Sequence, residues 1–313
     1  MCVGRGMYVE RRSPERARGA SRSSVRRAGV IPREGGLPII TLTTDFGQRD
    51  GYVGVMKGVI LGIAPHVSIV DISHEIPPQD VREAAYILST AVPYFPSGTI
   101  HVVVVDPGVG SARRPIAIRT PTATFVAPDN GVLSFVLAEH ARAEVRHLDR
   151  PRFWLSQISR TFHGRDIFAP VAAHLAAGVP FGEVGTVIND PVTISLPRPQ
   201  RTADGAICGE VLHVDRFGNL ITDIPADWLA GAASWRFEVA GQSIDGLSHA
   251  YAAVEPGALV ALIGSAGRLE IAVCQGSAAT FLGVAAGASV VARPMEVAYE
   301  LSVSTADIAS RGH

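Results

Sequence analysis

Residues 38–72, PIITLTTDFGQRDGYVGVMKGVILGIAPHVSIVDI, read as a strand, a glycine-containing turn, a helix and a second strand. Ile39 to Thr43 and Ser68 to Ile72 are short runs of Ile, Val and Thr, which suit a pleated, buried surface. Tyr52 to Ile63 between them is long enough to be a crossover helix, so the two strands are expected to run parallel. The alternation continues, with strands expected at Ile100 to Val105, Pro115 to Arg119, Thr124 to Ala127 and Glu144 to Leu148. Further helices are expected at Gln79 to Val92, Gly131 to Ala138 and Gly164 to Ala177, the last closed by Gly178 and Pro180. Gln79 or Asp80, and Asn130, stand near helix starts as capping residues. The pattern predicts an α/β unit: a mostly parallel sheet flanked by helices.

Leu196 to Thr202, LPRPQRT, carries two prolines and little apolar content, as a boundary does. Beyond it, short strands such as Ile207 to Val214, Leu259 to Ile263 and Leu269 to Val273 recur between Gly, Asp and Ser turns, with one brief helix near Ala226 to Leu229. That texture predicts a smaller all-β barrel or sandwich. The division is therefore 1–36 as a disordered Arg-rich extension, 37–198 as the α/β domain and 199–313 as the β-barrel domain.

Composition narrows the function classes. With 47% apolar and 18% charged residues the chain is globular, and no apolar run reaches the length of a membrane span. Residues 1–34 hold nine Arg against Glu10, Glu15 and Glu34, a local +6 that leaves −7 on the rest. An acidic body gives no surface for nucleic acid. Cys2, Cys208 and Cys274 are too scattered for a disulfide framework or a metal knuckle, which fits a reducing cytoplasm.

Asp45, Asp71, Asp106 and Asp129 each lie at or just beyond the carboxyl end of an expected strand. In an open parallel sheet those ends share the edge where ligands bind, so several carboxylates are expected to crowd one crevice. Asp is also a common capping residue in such turns, which is the plainer reading of Asp71 and Asp129. Asp45 and Asp106 differ because glycine-rich turns follow them, TTDFG and DPGVG, and let a ligand approach the backbone. Grouped carboxylates call for Mg²⁺, a sugar, an amine or a sulfonium as partner. A Mg²⁺ phosphohydrolase usually adds a basic clamp on the phosphate, often Lys, and the single lysine, Lys57, falls inside the first helix. Among the histidines His163 stands out, set in TFHGRD where a loop enters a helix beside Arg165 and Asp166. His66, His74, His140 and His147 read as surface or structural, and no pair has the spacing of a zinc site.

Taken together, TLTTDFG (Thr41 to Gly47), YVGVMKG (Tyr52 to Gly58), HVVVVDPGVG (His101 to Gly110), APDNG (Ala127 to Gly131), TFHGRDIFAP (Thr161 to Pro170) and DRFGNLITD (Asp215 to Asp223) resemble the S-adenosylmethionine hydroxide adenosyltransferases, relatives of fluorinase and chlorinase. The resemblance covers about residues 38 to 295. It implies an α/β domain, a C-terminal barrel, a homotrimer with the nucleoside site at a subunit interface, and no metal or cofactor. It places a catalytic triad on Asp106, Arg113 and His163. It makes Asp45 the ribose ligand, with Asp50 and Tyr52 in the same loop. In the barrel it makes Asp215 the acceptor for the methionine ammonium, Asn219 an adenine contact, Ser265 a donor to the methionine carboxylate, and Val273 to Gln275 a backbone edge for adenine. Fluorinase has an Arg after that serine where this chain has Ala266, and a long insertion that is absent between Asp106 and Asp129.

The expected activity is thus hydrolysis of S-adenosylmethionine to adenosine and methionine. An anionic Asp106 beside the reacting carbon would repel a halide nucleophile. A halide-dependent adenosyltransferase and a non-catalytic nucleoside binder are the alternatives.

Overall fold

Ile40, Thr41, Leu42, Thr43 and Thr44 are all buried, so β1 (Ile39–Thr44) must be covered on both faces as a central strand. The computed structural model describes residues 36–232 and 234–295. The expected extension at 1–36 lies outside the described residues except for Gly36, as does the chain after Met295.

After β1 come α1 (Tyr52–Ile63), β2 (Ser68–Ser73), α2 (Val81–Ala91), β3 (Thr99–Val104), β4 (Pro115–Arg119), β5 (Ala123–Pro128), α3 (Ser134–Glu139), β6 (Glu144–His147), α4 (Ala169–Ala176) and β7 (Thr186–Val187). They form a seven-stranded sheet in the order β2-β1-β3-β5-β4-β6-β7. The first four are mutually parallel, and β4, β6 and β7 are joined antiparallel. The reversal at β4 follows from chain length, because the few residues between Arg119 and Ala123 can make a hairpin but no crossover. Helices α1 and α4 cover one face through Met56, Ile60, Val171 and Ala172, and α2 and α3 cover the other through Ala84, Leu88 and Val136.

Of the two expected caps, one is found and the other is not. Asp80 caps α2, its Oδ1 accepting from Glu83 N at 2.9 Å. Asn130 instead organises a turn, accepting from Val132 N and donating to Val105 O, and α3 begins only at Ser134. Gly131 sits between at φ +94°, which no helix accommodates, with Ile194 so close that a Cβ would lie 2.5 Å from its Cγ2.

The second sheet is antiparallel throughout: β8 (Gln200–Arg201), β9 (Ile207–Val214), β10 (Leu220–Pro225), β11 (Ser234–Val239), β12 (Gln242–Asp245), β13 (Leu259–Ile263), β14 (Arg268–Val273) and β15 (Ser289–Met295), with a short α5 (Ala278–Leu282). Its order is β12-β11-β15-β9-β10-β14-β13, with β8 on β9. A bridge from Ser248, just past β12, to Leu262 of β13 nearly closes it into a barrel around Phe237, Leu269 and Ile271. The brief helix expected near Ala226 is a single 3₁₀ turn, Ala226–Leu229. Tyr86 of α2 joins the two sheets, packing on Leu212 and Ile221 and stacking on His213 at 5.0 Å.

His101 on β3 is fully buried, shares a 2.8 Å hydrogen bond with Thr41 and stacks on Phe125. Burial pushes its pKa down to about 4. The folded value lies below the unfolded one, so the stability it contributes is complete above about pH 6.5 and is lost as pH falls toward 4, roughly 3 kcal/mol in all. Denaturant titrations at pH 7 and pH 4.5 should show this loss, and His101→Phe should shrink it by a comparable amount.

Candidate active site

Because β1 and β3 are parallel neighbours in register, Thr44 opposite Val104, the loops that follow them leave the sheet side by side. Asp45 and Asp106 therefore line one cavity of about 370 Å³. Phe46, Tyr52 and Phe162 form its aromatic wall, mutually inclined with centroids 5.1 to 5.8 Å apart. His163, Thr161 and Gln79 add polar groups.

Behind Asp106 and His163 stands Arg113. Its Nε donates to Asp106 Oδ1 at 2.9 Å and its Nη2 donates to Asp106 Oδ2, a two-point pairing, while Nη2 also donates to His163 Nδ1 at 2.8 Å. The pair is nearly dry, with the Arg113 side chain 9% and the Asp106 side chain 5% exposed. Arg113 itself is absent from the cavity lining; its guanidinium lies 5.2 Å over the Phe168 ring, and its buried Nη1 has no protein partner among the described residues. Gly110 lets the DPGVG turn press on the loop that leads to His163: at φ +76°, a Cβ there would sit 2.2 Å from Arg160 O.

A guanidinium can only donate. His163 Nδ1 must therefore accept, and the ring proton of neutral His163 resides on Nε2. Burial and then the Arg113 charge hold its pKa below the ordinary value, against the opposing pull of Asp106 and Asp166. Its loop is anchored by fully buried Asp166, which accepts from Ser159 N at 2.7 Å and from Arg165 Nε at 2.6 Å. A π turn, Gly164–Phe168, carries the chain from His163 into α4.

Asp45 Oδ2 accepts from Gln79 N at 2.8 Å, and among the described residues its other oxygen accepts no hydrogen bond. Asp50, from the same loop, is exposed and does not line the cavity. The expected crowding of four acids is corrected to two. Asp71, on the edge strand, pairs with Lys57 at 2.6 Å and lies 3.0 Å from buried His74, which in turn bonds Thr44. Asp129 is buried against Arg114 and accepts from Val192 N. Neither caps a helix: a cation or a backbone N–H from elsewhere in the fold claims each carboxylate first.

A second cavity, about 650 Å³, lies on the barrel and is lined by Asp215, Phe217, Asn219, Tyr251, Val273, Gln275, Gly276 and Ser277. Asp215 Oδ1 accepts from the backbones of Phe217 and Asn219, and Oδ2 accepts from Asn219 Nδ2, each at 2.9 Å. That bond orients the buried Asn219 amide in the cavity lining. Phe217 is 76% exposed. Tyr251 donates to Glu270 Oε1 at 2.5 Å, and burial first, with Asp215 beside it, raises the Glu270 pKa. Ser265 is exposed on the turn between β13 and β14 and lines neither cavity.

The two cavities share no lining residue, one built on the first sheet and the other on the barrel. Sequence reasoning missed Phe46, Phe162, Gln79, Phe217 and Tyr251. The first and second stand beside a marked acid or histidine in TTDFG and TFHG and the fourth two residues past Asp215 in DRFG, so an aromatic close to a reactive side chain was the available signal. Among the described residues no group of three or more His, Cys, Asp or Glu could hold a metal ion, and no helix is long and apolar enough to cross a membrane.

Comparison with known proteins identifies the family. Residues 40–185 match the family described as SAM hydroxide adenosyltransferase N-terminal domain, and residues 209–291 its C-terminal domain. A protein of Salinispora tropica named (R)-S-adenosyl-L-methionine hydrolase is 41% identical over 80% of this chain and 95% of its own length. A fluorinase of Nocardia brasiliensis is 32% identical over 81% of this chain and 96% of its own. The crystal structure of an uncharacterized conserved protein from Thermotoga maritima superposes with a TM-score of 0.77 at 39% identity, covering 81% of this chain and 99% of that one. On these matches, which span both sheets, the chain belongs to the SAM hydroxide adenosyltransferase family.

Proposed function

We propose that this protein hydrolyses S-adenosyl-L-methionine to adenosine and L-methionine by in-line attack of one water at the ribose C5′. The observation that carries the reading is the junction of Asp106, Arg113 and His163 at the wall of a cavity that also holds Asp45. The 41% identity to a relative named as such a hydrolase supports it.

The leaving group is a neutral thioether departing from a sulfonium, so it needs no acid. The nucleophile is the difficulty, since free water has a pKa near 15.7. Neutral His163 has its Nδ1 lone pair engaged by Arg113 and its proton on Nε2, so it can donate to the water but has no free pair to receive a proton. Each Asp106 oxygen keeps a second lone pair beyond its bond to Arg113, and Asp106 is the base in this mechanism. Arg113 fixes the pair from behind and balances the Asp106 charge without touching the water. The reaction as written needs no metal or cofactor.

Asp45 binds the ribose hydroxyls beside the aromatic wall, Tyr52 included, with Asp50 at the loop's outer edge. On the barrel, Asn219 and the backbone at Val273 to Gln275 meet adenine, and Asp215 meets the methionine ammonium. Ser265, which lines neither cavity of the single chain, keeps the role the resemblance gives it, a donor to the methionine carboxylate. We read the two cavities, which share no lining residue, as halves of one site completed between copies, in the homotrimer that the family resemblance implies. Tyr52 of the cavity wall and Val55, nearly one turn further along α1, offer exposed apolar surface for such a contact. The chain works in the cytoplasm.

The fluorinase relatives keep a halide-using reaction as the second reading. A buried carboxylate at the attacking position opposes it, since a like charge in a dry cavity costs several kcal/mol.

Purified protein incubated with both sulfonium epimers of S-adenosylmethionine should release adenosine and methionine in equal amounts, with chloride neither required nor incorporated; substrate recovered intact would support a non-catalytic binder. His163→Ala and Arg113→Lys should each lower kcat by on the order of 10²-fold with the fold retained, because lysine keeps the charge but not the two-point fork. In a pH profile of kcat/KM, protonating His163 abolishes acceptance from Arg113. Activity should therefore fall on the acid side through a pKa below the usual 6.5 and stay level above it.

A further inference from the structure

Gln79 is one of three non-glycine residues with positive φ among the described residues, at +67°; the others are Ala240, at a hairpin turn, and Gln275, in the second cavity. A side chain in this region costs about 1 kcal/mol and persists only where the surroundings hold it. What it achieves here is visible. The left-handed turn aims Gln79 N at Asp45 Oδ2, 2.8 Å away, from a loop 34 residues further along the chain. The same turn makes Gln79, an exposed residue, part of the cavity lining together with Asp45, while Asp80 caps α2. One Asp45 oxygen is thereby occupied and, among the described residues, the other accepts no hydrogen bond, while the residue that holds it carries a carboxamide that can both donate and accept.

We propose that Gln79 is a specificity-determining residue: its carboxamide bonds one hydroxyl of a vicinal diol while Asp45 takes the other. The inference rests on the reading that this cavity holds the ribose, and adds a second, neutral partner to its recognition. A lone carboxylate grips any hydroxyl pair loosely; two different groups on a rigid turn fix the ring, and with it the direction of C5′. A site built to hydrogen-bond a hydroxyl rejects the analogue that lacks it, because its own polar group is then left unpaired.

The backbone and side-chain roles separate cleanly. Gln79→Gly keeps the N–H that holds Asp45 and adopts positive φ without strain, so it removes only the carboxamide. Calorimetric binding of adenosine, 2′-deoxyadenosine and 3′-deoxyadenosine, with KM and kcat for S-adenosylmethionine, reads the difference. Expected for Gln79→Gly are an unchanged or higher melting temperature, adenosine binding about tenfold weaker, KM raised by a similar factor and kcat within about threefold. One of the two deoxynucleosides, the one lacking the hydroxyl that Gln79 binds, should bind the variant and the parent equally. No loss with any nucleoside, or an equal loss with all three, overturns the proposal. If instead the parent neither binds adenosine nor turns over S-adenosylmethionine, the reading of the cavity itself fails and the proposal falls with it.

Discussion

One guanidinium, that of Arg113, holds the candidate site together. It is bonded at two points to Asp106 and at a third to His163, in a place almost closed to solvent. A carboxylate and an imidazole left dry without it would be costly, and the imidazole would be free to choose its tautomer. Bonded to it, both groups have fixed orientations and fixed proton positions before any substrate arrives. That is preorganisation in the sense that matters for catalysis, since the dipoles are in place before charge develops.

The surrounding fold serves to bring those three residues into one spot. Asp106 and Arg113 flank a single glycine turn after β3, whereas His163 arrives from a loop fifty residues on, anchored by Asp166 and pressed against the turn where Gly110 lacks a side chain. Parallel pairing of β1 with β3 sets Asp45 beside them. The resulting cavity has a negative side suited to a sulfonium and to hydroxyl donors, and an aromatic side formed by Phe46, Tyr52 and Phe162. The barrel contributes a second, wider surface in which Asp215 shapes a turn and orients Asn219.

Much of this was legible in the sequence because local rules carried it. Period and spacing gave β1, α1 and β2 almost to the residue, and the glycines after Asp45 and Asp106 separated them from Asp71 and Asp129. What the sequence hid depended on distant partners. Nothing near Asp71 announces that Lys57 and His74 would claim it, nor near Asp129 that Arg114 would. The left-handed turn at Gln79 was invisible because glutamine carries no signal for positive φ; only the acceptor 34 positions earlier explains it. Ser265 was assigned by motif alone, and its exposed turn faces neither cavity of the single chain.

The central claim is that a water held by Asp106 and His163, which Arg113 fixes from behind, attacks C5′. Turnover in ¹⁸O-enriched water, with both products analysed by mass spectrometry, tests it directly. The account predicts one ¹⁸O in adenosine, at the 5′ oxygen, and none in methionine. Unlabelled adenosine, or a product in which sulfur is still bonded to C5′, would contradict it.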